Sequence, residues 1–386
     1  METDSIFMTG QYVPFIFSFL LAIIITLLLI PIIIRLSLKY QLVDKPDQRK
    51  VHKAPIPTLG GIGFFTGFII VAIFWMVLRG QLSDFILIVG LITLFTMGIF
   101  DDMLDLRASL KFFIQIGVAL IISYFGFRIT SLNGVFGLYE MPVWAQYAFT
   151  VFLITGLINA FNLIDGIDGL AGGLAFINSL VMGIILTNQG NYLYAILAFT
   201  FAGALLGFLR FNFNPAKIFM GDTGSLVIGF LMALFGIVVI KGELITDPTS
   251  GSGQYSLTIV VVGILLLPVY DTLRVFTERI LKKSSPFKPD RTHVHHLLIE
   301  TGARHKRASI ILYVANITII ILSFLLRSSN PSFSVLLLFV IAAIMSESIN
   351  LKRLFMELAL GRKAIENTNK IVEENRFLED IIEKNK

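Results

Sequence analysis

Eleven apolar stretches divide the chain, at roughly 13–38, 58–78, 84–100, 108–126, 143–160, 168–187, 191–209, 222–240, 256–278, 308–326 and 331–350. Each comes close to or exceeds the roughly 20 residues a helix needs to cross a bilayer. The two-residue alternation of a membrane barrel is missing. The pattern predicts an all-α polytopic integral membrane protein with about 11 transmembrane helices.

The connections between the stretches alternate in charge. Of the 31 Lys and Arg, 26 fall around the connections after spans one, three, five, seven and nine and in the tail. Four fall on the opposite set, and Arg274 lies within the ninth span. Basic loops stay in the cytoplasm, so the bias places the N-terminus outside and the C-terminus inside. Any chemistry carried by the internal connections is therefore expected on the cytoplasmic face of the membrane. Acidic Glu2 and Asp4, with no basic segment, precede the first apolar run, which reads as a retained span.

Composition sharpens this picture. The chain is 55% hydrophobic and 15% charged, with 35 Phe in 386 residues, too apolar for a soluble domain. The net charge of +5 reads as positive-inside loops and not as a nucleic-acid surface. With no Cys, a disulfide framework, a thiol nucleophile and a thiolate metal site are excluded.

The unusual polar residues collect in the cytoplasmic connections. Residues 1–350 therefore read as a catalytic membrane domain whose site is built from 39–57, 101–111, 159–168, 210–225 and 279–307. Residues 351–386 read as a charged amphipathic helical tail on which Ile371, Leu378 and Ile382 recur at near-helical spacing. A solvated helix, a short coiled-coil contact and a surface-lying helix all fit that spacing. The stretch KGELITDPTSGSGQY, Lys241 to Tyr255, reads as an exposed external loop.

The third span ends in GIFDDMLDLRASLK. Asp101 and Asp105 share a face if the helix continues, with Asp102 beside them. Acids at a helix C-terminus oppose its macrodipole, and such conflicts mark functional sites. Carboxylates beside a bilayer suit Mg²⁺, which takes one or two of them plus phosphate oxygens. NAFNLIDGIDGLAGG follows span five, and if it is helical, Asp165 and Asp168 lie on one face with Asn162 a turn earlier, while Asn159 and Asn162 add amide donors and acceptors. Small-residue helix packing explains its glycines and leaves the aspartates unexplained. In NPAKIFMGDTGS, Asp222 or Thr223 could cap the next helix, and free N–H groups of that turn could receive phosphate. Phe219 could stack on a base or simply pack.

Four of the five histidines, His293, His295, His296 and His305, share SSPFKPDRTHVHHLLIETGARHKRAS. No acid or Cys flanks them at ligand spacing, so a closed zinc site is unsupported. With Lys288, Arg291 and Arg304, an anion-binding loop fits better. The first cytoplasmic loop adds Lys45, Arg49, Lys50, His52 and Lys53 ahead of Gly60 and Gly61.

With DDMLDLR, NAFNLIDGIDGLAGG, NPAKIFMGDTGS and THVHHLL in that order, residues 13–350 resemble the polyprenyl-phosphate N-acetylhexosamine-1-phosphate transferases of glycosyltransferase family 4. DKPDQRKVHKAPIPTLGG and the interrupted His-x-His-His form look closest to the enzymes using UDP-GlcNAc and undecaprenyl phosphate, which start O-antigen, common-antigen or teichoic acid assembly. The sister enzymes using UDP-MurNAc-pentapeptide usually carry three consecutive histidines, a run that Val294 interrupts here.

The resemblance implies attack of a polyprenyl phosphate on the β-phosphorus of a UDP-N-acetyl sugar, with release of UMP and dependence on Mg²⁺ or Mn²⁺. It implies catalytic roles for Asp101, Asp102, Asp222, His295 and His296. Asp222 would be the metal ligand, with Asp101 and Asp102 beside the metal binding or activating the lipid phosphate. Lys53, Asn159, Asn162, Asp165 and Asp168 would line a nucleotide pocket, Asp168 reading the uracil and Phe219 stacking on it. Arg291, His293 and the other two histidines of the motif would hold the sugar diphosphate. The expected partners are the UDP-sugar, undecaprenyl phosphate and the bilayer, with no nucleic acid; a homodimer is compatible. Two other readings stay open. A membrane prenyltransferase needs a second acid cluster at DxxxD spacing, which Asp165 and Asp168 lack. A transporter needs acids near mid-membrane between inverted repeats, whereas these acids fall at span ends.

Overall fold

The computed structural model describes residues 12–44, 55–80, 84–242, 256–285 and 292–384. Twelve α-helices follow one another among these residues. They are α1 (Val13–Lys39), α2 (Gly60–Arg79), α3 (Phe85–Leu104), α4 (Ala108–Tyr124), α5 (Val143–Ile164), α6 (Leu170–Asn188), α7 (Tyr192–Asn212), α8 (Asp222–Lys241), α9 (Leu257–Leu281), α10 (Val294–Glu300), α11 (His305–Leu326) and α12 (Pro331–Lys384). Two two-residue strands, β1 (Val43–Asp44) and β2 (Ile56–Pro57), pair antiparallel between α1 and α2.

Ten of the helices are long and apolar enough to span a membrane; α4, at 17 residues, is a shorter apolar helix. The protein is thus a multi-pass membrane protein of all-α architecture, with one helix for each apolar stretch of the sequence. Helices prevail because hydrocarbon offers backbone groups no partner except their own chain. The most hydrophobic helix is not the most buried. On α1, Ile16, Leu20, Ile24, Leu28 and Ile32 form an outward stripe, while Phe15, Ala22, Thr26 and Ile30 face inward. The centre is α8, whose residues Thr223 to Ile240 are all buried. It packs against α2, α3, α5, α6 and α9. Glycines let backbones meet there: a Cβ on Gly61 would lie 2.4 Å from the Gly224 nitrogen.

Several boundaries differ from the sequence pattern. The helix after Asn159 stops at Ile164 and the next begins at Leu170, so Asp165 and Asp168 sit in a turn and share no helical face. Asp105 likewise falls outside α3, as a left-handed cap with φ 50°. The histidine loop contains the extra helix α10. The last span continues without a break to Lys384, so the expected boundary at 350 lies inside one helix. The stretch 243–255 of the expected external loop lies outside the described residues.

Candidate active site

The C-terminal ends of α3, α5 and α7 and the N-terminal ends of α6, α8 and α11 converge on one end of the bundle. The acidic cluster forms where α3 meets α8. Asp101 folds back on its own turn: Oδ1 accepts the Leu106 N–H at 2.9 Å and Oδ2 accepts Lys111 Nζ at 2.7 Å. Asp102 crosses to α8 instead. Its two oxygens accept the N–H of Asp222 at 2.7 Å, the N–H of Thr223 at 3.0 Å and the Thr223 hydroxyl at 2.6 Å.

This resolves the conflict seen in the sequence. The negative end of the α3 dipole and its acids meet the positive N-terminus of α8. It also corrects two readings of GDTGS. Neither Asp222 nor Thr223 caps α8 with its own side chain, because the cap is supplied by Asp102. The first-turn N–H groups are not free for phosphate either: those of Gly224 and Ser225 bond the Gly221 carbonyl. Gly221 itself adopts φ +72°, and a Cβ there would lie 2.4 Å from Asp102 Oδ2. Only glycine combines that conformation with room for the capping carboxylate.

With its backbone held, the Asp222 carboxylate projects into the cluster. Oδ1 accepts Asn162 Nδ2 at 2.8 Å, and Oδ2 lies 3.5 Å from Lys111 Nζ. Lys111 therefore sits between Asp101 and Asp222. Its side chain is about a quarter exposed, as is that of Asp222. Asn162 also donates to Ser225 Oγ at 2.9 Å. Asn159 points elsewhere, donating to Gln115 on α4 at 2.7 Å.

The turn from Asp165 to Gly169 borders this cluster. Asp165 is half-buried. Burial, and then the charges of Asp222, Asp102 and Asp168, push its carboxyl up to about 7. Asp168 faces the other way. Its oxygens accept Asn214 Nδ2 at 2.8 Å and the Ala216 N–H at 3.1 Å and lie 3.3 Å from His305 Nδ1. Burial alone would raise this carboxyl, but the bonds from His305, Asn214 and Ala216 lower it. Asn212 completes the tie, accepting the Gly169 N–H and donating to the Ile218 carbonyl. Asp168 and Asn212 thus bind the turn to the loop that carries Phe219. That loop is clamped by the first connection: the Phe219 N–H donates to the Pro57 carbonyl at 2.7 Å, and its carbonyl accepts the Gly60 N–H at 2.9 Å.

The histidines close another side. His293 Nδ1 lies 2.8 Å from Asp271 Oδ2. His295 is 1% exposed, and neither ring nitrogen has a hydrogen-bond partner among the described residues. A Cβ on Gly166 would lie 2.1 Å from its Nε2, so only glycine admits this approach. Burial and then His296 lower the His295 ring to about 3, against the opposing pull of Asp271, so it is a neutral imidazole. The rings of His295 and His296 lie 4.2 Å apart.

The site residues therefore divide. Asp101, Asp102, Asn162 and Asp222 meet, with Asp165 in the adjoining turn. His293, His295 and His296 lie together, with His295 against Gly166. Asn159 and Asp168 serve neighbouring contacts. Lys53 and Arg291, with Lys45, Arg49, Lys50, His52 and Lys288, lie outside the described residues. Sequence reasoning passed over Lys111, Ser225 and Asp271. The expectation that no acid accompanies the histidines is corrected by Asp271, which is distant in sequence and adjacent in space. Its signal was available, since Asp271 and Arg274 are ionisable residues within an apolar span.

The cluster suits a hard divalent cation. Asp101 and Asp222 present oxygens to one point shared with Lys111, while Asp102 is fully engaged. Among the described residues no three acids or histidines make a closed cage. Mg²⁺ needs none, because it takes one or two carboxylates and fills its octahedron with water and phosphate oxygens.

A sequence profile of "Glycosyl transferase family 4" matches residues 85–240. The chain is 32% identical over 329 residues to a Bacillus subtilis protein named "Probable undecaprenyl-phosphate N-acetylglucosaminyl 1-phosphate transferase", covering 85% of this chain and 89% of that one. It is 32% identical over 289 residues to a Yersinia pestis "Undecaprenyl-phosphate alpha-N-acetylglucosaminyl 1-phosphate transferase", covering 73% and 76%. The Escherichia coli K12 protein of the same name is 31% identical over 316 residues, covering 80% and 83%.

Proposed function

The chain belongs to glycosyl transferase family 4, and from that premise we propose that it transfers N-acetylglucosamine 1-phosphate from UDP-GlcNAc to undecaprenyl phosphate. The reaction releases UMP and leaves a diphosphate-linked sugar in the membrane. It takes place at the cytoplasmic face of the plasma membrane and starts a cell-envelope polysaccharide. The charge bias of the loops supports that orientation.

One observation carries the reading. Asp101, Asp222 and Lys111 meet at a span end beside Asn162, where a lipid phosphate and a water-soluble nucleotide can both arrive. A phosphate oxygen of the lipid attacks the β-phosphorus. The new P–O–P bond forms as the bond to the oxygen bridging the α- and β-phosphates breaks, and UMP departs with that electron pair. Such transfers depend on positioning and electrostatics more than on covalent help from the protein.

Asp222 and Asp101 would hold Mg²⁺, which neutralises phosphate charge as a Lewis acid when bound. Lys111 holds the two carboxylates together and offers a positive charge to the incoming phosphate. Asp102 acts through Asp222, fixing its backbone. Asn162 orients the Asp222 carboxylate. The buried, neutral His295 has one ring N–H to offer the sugar diphosphate, alongside His293 and His296. Asp165 faces the nucleotide, while Asp168 shapes the pocket by tying its two loops together. Phe219, clamped by its backbone, is the candidate stacking surface for uracil.

The test uses purified protein, UDP-GlcNAc, undecaprenyl phosphate and Mg²⁺. UMP release that stops on chelation supports the reading, while release of UDP, or release indifferent to Mg²⁺, breaks it. Cysteine labelling at position 296 from outside intact cells would overturn the orientation.

A further inference from the structure

We propose that Asp271 is a positioning residue for the transfer: it sets the tautomer of His293 and thereby which ring nitrogen faces the UDP-sugar. The inference rests on the reading of the histidine loop as substrate-facing.

Asp271 and Arg274 lie one turn apart on α9 and grip the chain on both sides of His293. Asp271 is 2% exposed. Its Oδ2 lies 2.8 Å from His293 Nδ1, and its Oδ1 accepts the Val294 N–H at 2.9 Å and Arg274 Nη2 at 3.3 Å. Arg274 donates as well to the Thr292 carbonyl. The Val294 N–H opens α10, so Asp271 also supplies an anion at that helix's start. A buried carboxylate costs little only when donors surround it, and this one has three kinds.

The chemistry then fixes the ring. An ionised carboxylate only accepts, so Nδ1 must carry the proton. Which nitrogen of an imidazole faces outward is set by the partner the other one keeps. Nε2 is left, and in the neutral ring it presents a lone pair. A sugar hydroxyl or acetamido N–H is the group it recognises. The His293 ring stacks nearly parallel on His295, 5.7 Å away at 11°, and His295 abuts Gly166. An altered His293 therefore disturbs the wall that faces the acid cluster.

The substitution Asp271→Asn isolates this role. An amide has one accepting atom, and the Val294 N–H and Arg274 both require it. The NH₂ group must then face His293 Nδ1, which has to become the lone pair, and the proton moves to Nε2. The side chain's shape is kept and the tautomer is reversed.

Full-length protein labelled with ¹⁵N-histidine in lipid nanodiscs should show a His293 signal with Nδ1 protonated, identified by its loss in His293→Gln. In Asp271→Asn that signal should change to protonated Nε2. In UMP release, Asp271→Asn should lower kcat/KM by up to about 10⁴, the size of the kcat loss when a catalytic histidine is held in its wrong tautomer. Adding Asp271→Asn to His293→Gln should lower it no further. An unchanged tautomer, or losses that multiply in the double variant, would overturn the proposal. A wild-type protein that releases no UMP would instead sink the functional reading, and the spectrum would still decide the role of Asp271.

Discussion

The two acidic pairs of this protein look alike in sequence and behave differently in space. Asp101 and Asp102 end α3, while Asp165 and Asp168 follow α5. In each pair, one aspartate is consumed by architecture. Asp102 caps α8, and Asp168 ties the 165–169 turn to the loop at 213–218 and to His305. The other member stays with the cluster: Asp101 beside Lys111 and Asp222, Asp165 under the repulsion of three carboxylates. Spacing does not assign the role of an acid in such a site. The donors that reach it do, and those donors come from other helices.

Substitutions can break this division, and the largest effect should come from the cluster. Asp222→Asn should lower kcat by about 10³ or more, as expected when a preorganised electrostatic group is lost. The variant should remain folded and membrane-inserted. Near-normal turnover in the UMP assay would remove Asp222 from the reacting centre.

Next in size is the contrast between neighbours. Asp102→Ala removes a cap and leaves the Asp222 and Thr223 N–H groups unpaired, at a cost of about 1–3 kcal/mol. Asp101→Ala should reduce activity more than stability, because Lys111 can turn to Asp222. Thermal unfolding in detergent checks this; equal losses of Tm for the two variants would dissolve the distinction.

A smaller effect separates Asp165 from Asp168 by the sign of their pH dependence. Asp165 is held up to about 7, against about 3.9 in an unfolded chain. Its contribution is therefore complete below the unfolded value and lost as pH rises through about 7. Asp168 is lowered, so its contribution is present above the unfolded value and lost as pH falls through the folded one. In metal-free protein, Tm should fall between about pH 4 and pH 7, and Asp165→Asn should flatten that fall. A cation among the carboxylates should flatten it too, so the same scan with Mg²⁺ sharpens the test. A fall that survives in Asp165→Asn would assign it to another group.

The last change is Gly166→Ala. The added methyl meets the buried His295 ring, which must shift to admit it. A loss in UMP release accompanied by a lower Tm is expected. Unchanged activity would separate the histidines from the acid turn.

Much of this was legible in the chain. Eleven apolar stretches forecast eleven apolar helices, because in hydrocarbon the backbone has no alternative. Asp101, Asn162 and Asp222 could be read as a site because ionisable and amide groups at span ends conflict with their surroundings. Lys111 was passed over because it looks like an ordinary loop cation, and Asp271 because the histidines it serves lie about 20 residues further along the chain.

The sequence by itself determined the membrane architecture and the polar residue types that collect at span ends. Those follow from local hydrophobicity and charge, which each segment carries alone. Only the tertiary structure decided which carboxylates are spent on helix ends and loops and which stay in the cluster with Lys111. That choice depends on hydrogen-bond donors more than 100 residues away, as for Asp102 and the start of α8 and for Asp168 and His305. A carboxylate commits to whichever donor the packed helices bring within about 3 Å.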